Sequence, residues 1–204
     1  MSRIQQIFMN RCNSTSDINE HLPTLNTYAS ECNTIIECGV RGCNSSYAFA
    51  AALLNKPNAK LIQYDIVKHS EMDHFVNMCR SESIDVALRI ESDITCNREK
   101  ADLLFIDTWH VYGQLKRELE YWNAYISKYI IMHDTTVDEW EGESIRGNLN
   151  INSQIKTSGF TREEITRGLW PAISEFLMIH PEWEIHARYT NNNGLTILRR
   201  INYS

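Results

Sequence analysis

Apolar and polar positions alternate along this chain in short blocks that read as strands and helices in turn. Thr34 to Ile36 form a brief apolar run, followed by Glu37 and a glycine-bearing turn from Gly39 to Gly42. An alanine-rich apolar stretch, Tyr47–Leu54, comes next and has the length and composition of a buried helix. Lys60–Tyr64, Asp85–Ile90, Leu103–Ile106 and Lys128–Met132 are further strand candidates, of which Leu103–Ile106 is of the fully buried kind. Between them, Glu71–Arg80 places Met72, Phe75, Val76 and Cys79 on one helical face, and a helix from about Gly113 places Leu115, Leu119 and Trp122 on another. Leu169–Ile179 is an amphipathic helix that Pro181 ends. Trp183–Tyr189 and Leu195–Leu198, joined across Asn191 to Gly194, form a closing β-hairpin. This alternation predicts an α/β fold with a mostly parallel sheet.

The remaining segments carry weaker patterns. Ser2–Thr15 reads as a polar lead-in. Asp17 and Glu20 have the spacing of a capping box, which predicts a helix from there to about Cys32, with Leu22, Leu25, Tyr28 and Ala29 buried and His21 on the surface. Residues 137–160 are polar and irregular, long for a connection in a compact domain, and are expected to form a lid or substrate loop. Thr161 and Glu164 have the spacing of a helix cap.

Length and composition narrow the class. At 204 residues, one domain with a substantial core is expected. The mix of 43% hydrophobic and 23% charged residues is that of a soluble protein. A net charge of -6 without a basic stripe argues against nucleic acid as a partner. No apolar run reaches the length of a membrane span, and the amino-terminal stretch lacks the apolar segment of a signal peptide. The six cysteines contain no C-x-x-C pair, so reduced thiols in a cytoplasmic protein are expected rather than zinc ligands or disulfides.

The candidate chemistry lies at the strand ends. A strand, glycine turn and helix in succession form the unit at which open α/β sheets hold nucleotide-like ligands. Gly39 allows close backbone approach, and Ser45 or Ser46 is expected to cap the helix. The dehydrogenase pattern G-x-G-x-x-G is absent. Asp65 lies about one βα unit later, where a carboxylate accepts ribose hydroxyls. Asp107 and His110 follow one strand; His133 and Asp134 follow the next. Two acid–imidazole groupings at successive strand ends form a candidate catalytic centre.

Glu37 two positions before Gly39 resembles motif I of the class I methyltransferases, although Arg41 and Cys43 occupy its later glycine positions and Gly42 is offset. More specifically, E-C-G-V-R-G-x-N-S-S, F-I-D-T-x-H-x-Y-x-Q-L, Y-I-I-x-H-D-T-T, G-L-W-P-A-I-x-E-F-L and N-N-N-G-L-T-I-L resemble a group of phage, giant-virus and bacterial sugar O-methyltransferases, related to the cephalosporin-hydroxylase-like and macrocin-type enzymes. The resemblance spans roughly residues 16–200. It implies a Rossmann-like seven-stranded sheet, mostly parallel with a carboxy-terminal antiparallel hairpin and helices on both faces. It implies S-adenosylmethionine as cofactor, with Glu37, Gly39, Arg41, Gly42, Ser45, Ser46, Asp65, Ser92 and Asp93 around it. It also implies a glycan or sugar acceptor, such as a deoxyhexose, deprotonated by His110 or His133 beside Asp107. A magnesium or other divalent cation on Asp107 and Asp134 is the other route. Thr135 stands where metal-dependent relatives place a further acidic or amide ligand. Trp109 and Tyr112 are candidates for stacking on a sugar. A catechol-type acceptor and a binding module without chemistry are the alternatives.

Overall fold

The computed structural model describes residues 1–201. Five strands, β1 (Thr34–Cys38), β2 (Lys60–Asp65), β3 (Asp85–Ile90), β4 (Ala101–Ile106) and β5 (Ile126–His133), precede a hairpin of β6 (Trp183–Tyr189) and β7 (Leu195–Arg200). They form one seven-stranded sheet in the order β3-β2-β1-β4-β5-β7-β6. The first five strands pair in parallel, and β7 inserts antiparallel between β5 and β6. The winding reverses where β1 lies between β2 and β4. At such a reversal the loops leaving the two central strands diverge and leave a crevice at the carboxyl edge.

Side-chain alternation along each strand builds two cores. Ile35, Leu61, Leu103, Phe105 and Ile131 pack under α1 (Arg3–Cys12), α2 (Leu22–Ser30), α3 (Asn44–Leu53) and α4 (Ser70–Ser81). Ile36, Ile62, Leu104, Ile106 and Ile130 face α5 (Tyr112–Trp122) and α9 (Leu169–Ile179). Burial on both faces explains why these strands read as continuous apolar runs. Between β5 and α9 lie three short helices, α6 (Glu143–Arg146), α7 (Ile151–Ser158) and α8 (Arg162–Thr166).

Several local expectations are corrected. The amino-terminal segment is helical: Ser2 and Gln5 form a reciprocal capping box for α1, and Ile4 is fully buried. The Asp17 capping box does not form. A 3₁₀ turn, Asn19–His21, leads into α2, with Pro23 in its first turn, where the missing N–H costs nothing. His21 is buried, not on the surface, because the Asn191–Gly194 turn folds over it and Asn191 O lies 2.9 Å from its Nε2. The 137–160 segment is not irregular throughout, since half of it lies in α6 and α7: Asn150 caps α7 by accepting from Ser153 N, and Gly159, at φ 74°, ends it. Thr161 caps α8 as its spacing predicts. All six cysteines are free, and among the described residues no helix is long and apolar enough to cross a membrane.

Candidate active site

Two adjoining hollows occupy the carboxyl edge of the sheet at the β1/β4 reversal. The first, about 450 Å³, is lined by Gly39, Arg41, Asp65, Ser92, Asp93 and Thr108, with Ile66 and Val67 as apolar wall. The second, about 680 Å³, is more polar and is lined by Asp17, Arg41, Gly42, Ser45, Asp107, His110 and Asp134. Gly39, His69, Asp107, Thr108 and Glu143 border both.

The turn after β1 is built for close approach. Gly39 has φ 85°, and a Cβ there would lie 1.9 Å from the Asp107 carbonyl oxygen. Arg41 and Cys43 take left-handed backbone at φ 40° and 57°, so the turn reaches with ordinary residues the conformation that glycine adopts freely. Each costs about 1 kcal/mol relative to glycine. The Asp65 carboxylate offsets this by accepting from the N–H groups of Val40 (3.0 Å) and Arg41 (2.9 Å), and from Val67 at its other oxygen (2.9 Å). Asp65 thus holds the turn and borders the first hollow at once.

Glu37 and Ser46 border neither hollow. Glu37 is fully buried behind the turn and accepts from Ser45 Oγ, from Ser46 Oγ at 2.8 Å and from Gln63 Nε2 at 2.7 Å. The serines therefore point inward from the first turn of α3 and leave its N-cap, Cys43, without a side-chain cap, contrary to the capping expectation. Burial outweighs these hydrogen bonds and pushes the Glu37 carboxyl up to about 7. A carboxyl raised on folding gives stability that is complete below its unfolded value, near 4.5, and is lost as pH rises through 7. Glu37→Gln removes that proton linkage, and Gln63 Oε1, which lacks a donor, can accept from the new amide after a flip. Denaturant unfolding between pH 4.5 and 7 is expected to show a flatter stability profile in Glu37→Gln than in the wild type; a parallel profile would refute the assignment.

The strand-end histidines and aspartates converge into one cluster. His110 Nε2 lies 3.1 Å from Asp107 Oδ1 and 3.2 Å from Asp134 Oδ2. His133 Nδ1 lies 3.4 Å and 3.2 Å from the same two oxygens. Carboxylates and imidazoles alternate around a small square, so each charge has an opposite neighbour. The other ring nitrogen of His133 meets the carbonyls of Asp17 and Asn192, which fixes the ring from behind. Burial opposes charge on both rings, but the surrounding acids prevail: His133 rises to about 10, and His110 rises well above its ordinary value. Burial likewise opposes the Asp107 charge, and hydrogen bonds from the two imidazoles hold its carboxyl well below the usual range.

Pattern reasoning missed four contributors. Glu143, carried on α6, places Oε2 3.2 Å from His110 Nδ1. Asp138, fully buried, lies 3.5 Å from the same nitrogen and is clamped by Arg146 at 2.7 and 2.8 Å. His69 borders both hollows from the start of α4. Glu118 is fully buried behind Thr108 and Gln114. Only Glu118 had a readable signal, a charge on the apolar stripe of Leu115, Leu119 and Trp122. Of the stacking candidates, Trp109 borders the first hollow and stacks on Phe160 at 5.5 Å, whereas Tyr112 is turned away to Glu175 at 2.6 Å.

No protein-family model matches the chain, and no curated protein matches it in sequence. Solved structures do match. A Podospora anserina methyltransferase with S-adenosylhomocysteine bound has a TM-score of 0.60 at 12% identity, over 99% of this chain and 89% of that one. A Bacillus cereus O-methyltransferase, also a complex with S-adenosylhomocysteine, has a TM-score of 0.60 at 14% identity, over 97% and 88%. The Streptomyces achromogenes O-methyltransferase of tomaymycin synthesis, in complex with S-adenosylmethionine, has a TM-score of 0.56 at 10% identity, over 93% and 82%. The chain has the class I methyltransferase fold. On this fold the two hollows lie where the sheet reverses; Asp107 borders both, His110 and Asp134 border the second, and His133 is buried behind them.

Proposed function

We propose that the chain is an S-adenosylmethionine-dependent O-methyltransferase whose acceptor is a sugar hydroxyl of a glycan, a deoxyhexose such as rhamnose among the candidates. The observation that carries this reading is the continuity of the hollows. Gly39, Asp65, Ile66 and Val67 suit a nucleoside, and its reactive end then faces the polar hollow that holds His110. The sugar acceptor rests on the motif resemblance.

Methyl transfer is an in-line displacement: the acceptor oxygen bonds to the methyl carbon as the carbon–sulfur bond breaks, and the acceptor proton must leave. Much of the rate comes from alignment of the three centres. His110 is placed to take the proton, and Asp107 and Asp134 stabilise the resulting imidazolium. These carboxylates hold His110 charged at rest, so it must first release its own proton to solvent. Donor atoms of Asp107, His110 and Asp134 lie within 4.8 Å of one another, a set that fits a divalent cation. Such a cation would lower the pKa of a bound hydroxyl. Thr135 would not complete the set, because it is buried and accepts from Thr196 Oγ1 at 2.9 Å. The approach of both carboxylates to one imidazole nitrogen also opposes the alternative of a module whose acids stand too far apart to act together.

The test is transfer of labelled methyl from S-adenosylmethionine to glycans presenting rhamnose or other hexoses, with and without a chelator. Label in the glycan, released only by cleavage of an ether, is the expected result. Label in catechols but not in glycans would overturn the acceptor class; no transfer to any hydroxyl would overturn the activity.

A further inference from the structure

The turn of the closing hairpin clamps the amino-terminal part of the chain onto the second hollow. Asn192 holds the connection between α1 and α2 with both ends of its amide: Nδ2 donates to Ser16 O at 2.8 Å, and Oδ1 accepts from Glu20 N at 3.0 Å. The neighbouring asparagines bind elsewhere. Asn191 O lies 2.9 Å from His21 Nε2, and Asn193 O accepts from the N–H groups of Thr136 and Val137, both at 3.0 Å, just past Asp134. The approach is close, since a Cβ on Gly194 would lie 2.5 Å from Thr136 N. One turn therefore ties the α1–α2 connection to the loop that carries Asp134.

Asp17 sits inside this clamp, between Ser16 and Glu20. Its carbonyl oxygen lies 3.1 Å from His133 Nε2, and that nitrogen, facing the carbonyls of both Asp17 and Asn192, must carry hydrogen. His133 thus meets the acids of the cluster with one ring nitrogen and the Asp17 backbone with the other. Ile18, the next residue, is buried and anchors the connection in the core. The Asp17 side chain alone is left unengaged. It borders the second hollow, and its carboxylate meets no donor and no cation among the described residues. His110 borders the same hollow. An ionised carboxylate offers only acceptor positions, two oxygens' worth, and so takes the hydroxyl groups of a polyhydroxylated ligand.

We propose that Asp17 binds the acceptor through a hydroxyl other than the one methylated, and that Asn192 is the residue that positions it. This rests on the acceptor reading above. Asn192 itself touches no ligand.

The experiment is steady-state methyl transfer from S-adenosylmethionine to methyl glycosides of rhamnose and other hexoses, with S-adenosylhomocysteine titrated into the same proteins. Asp17→Asn, nearly the same shape, should raise KM for the glycoside about tenfold or more, with a smaller effect on kcat. Its affinity for S-adenosylhomocysteine should stay within about twofold of wild type. Asn192→Gly tolerates the left-handed backbone, φ 46°, and loses both amide bonds; it should raise KM to a similar degree. Asn192→Asp keeps an acceptor for Glu20 N but sets an oxygen against Ser16 O, and serves if Asn192→Gly fails to fold. The double variant separates positioning from general loosening. If Asn192 acts through Asp17, the second change adds little to the first, whereas independent effects multiply. An unchanged KM in Asp17→Asn or in the Asn192 variants, or a double variant whose effect is the product of the two singles, overturns the proposal and leaves the acceptor class standing. Wild type that binds S-adenosylhomocysteine but methylates no glycoside removes the acceptor reading and the proposal with it.

Discussion

Asp107→Ala is expected to lower methyl transfer by about a thousandfold, with a larger effect on kcat than on cofactor affinity. Asp107 is the acid on which both imidazoles meet, at 3.1 Å from His110 and 3.4 Å from His133. Its loss leaves Asp134 as the one acid beside His133 Nδ1 and the one beside His110 Nε2, while His110 Nδ1 keeps Glu143 and Asp138. The change therefore removes both the orientation of the proton acceptor and the negative charge that stabilises the imidazolium formed as the proton moves. A charge-assisted hydrogen bond is also lost, and a decrease of about 2 kcal/mol in unfolding free energy is expected. Labelled methyl transfer under saturating cofactor measures the first effect and denaturant unfolding the second. A kcat within tenfold of wild type would mean that the cluster is structural and that deprotonation happens elsewhere.

Gly39→Ala is expected to be the most damaging single methyl group that can be added to this chain, at about 3 kcal/mol or more. Two costs combine. The residue sits at φ 85°, and its new Cβ would lie 1.9 Å from Asp107 O and 2.6 Å from Asp107 C. Neither atom belongs to a flexible side chain. Both are backbone at the end of β4, tied to β1 by the Asp107 N–H donating to Cys38 O at 2.9 Å. Relief requires the loops after β1 and β4 to separate, which opens the crevice at the reversal point. Gly159→Ala is the control: φ is 74°, but no atom lies within 4 Å of the added Cβ. It should lose only about 1 kcal/mol, the backbone component alone. Equal losses in the two variants would contradict the close packing of the two loops.

How far the fold was legible follows from which signals are local. The buried strands announced themselves because both faces are covered, so their apolar runs are unbroken. The strand-end acids and histidines could be placed at one edge because parallel strands must all deliver their carboxyl ends there. Asn191–Gly194 read as a hairpin because the turn needs left-handed backbone, and Asn192 and Asn193 do adopt φ 46° and 68°. What that turn does was not readable. It buries His21 and meets His133 across a separation in sequence of 170 and 59 residues, and no pattern within the chain encodes such contacts. Glu37 shows the same limit. Its spacing from Gly39 resembles motif I, but the inward aim of Ser45 and Ser46 depends on where α3 docks. Helix α1 was legible in principle, since Ser2 and Gln5 have capping-box spacing; its sparse apolar positions concealed it. Helix α6, at four residues, is too short for periodicity to show. The Glu143 contribution to both hollows is therefore visible only in three dimensions.

The central claim is that the β1/β4 crevice binds S-adenosylmethionine, and it is tested most directly by calorimetric titration with S-adenosylhomocysteine, with and without magnesium, on wild type and Asp65→Ala. Asp65 is the informative residue because one carboxylate both anchors the Gly39 turn and borders the first hollow, where the proposed cofactor would sit. The account predicts saturable one-site binding to wild type, accompanied by a rise in Tm, and at least about tenfold weaker binding to Asp65→Ala. Tighter binding with magnesium would further favour a cation on Asp107 and Asp134. A folded wild-type protein that shows neither heat of binding nor thermal stabilisation under either condition would contradict the account and leave a methyltransferase fold put to another use.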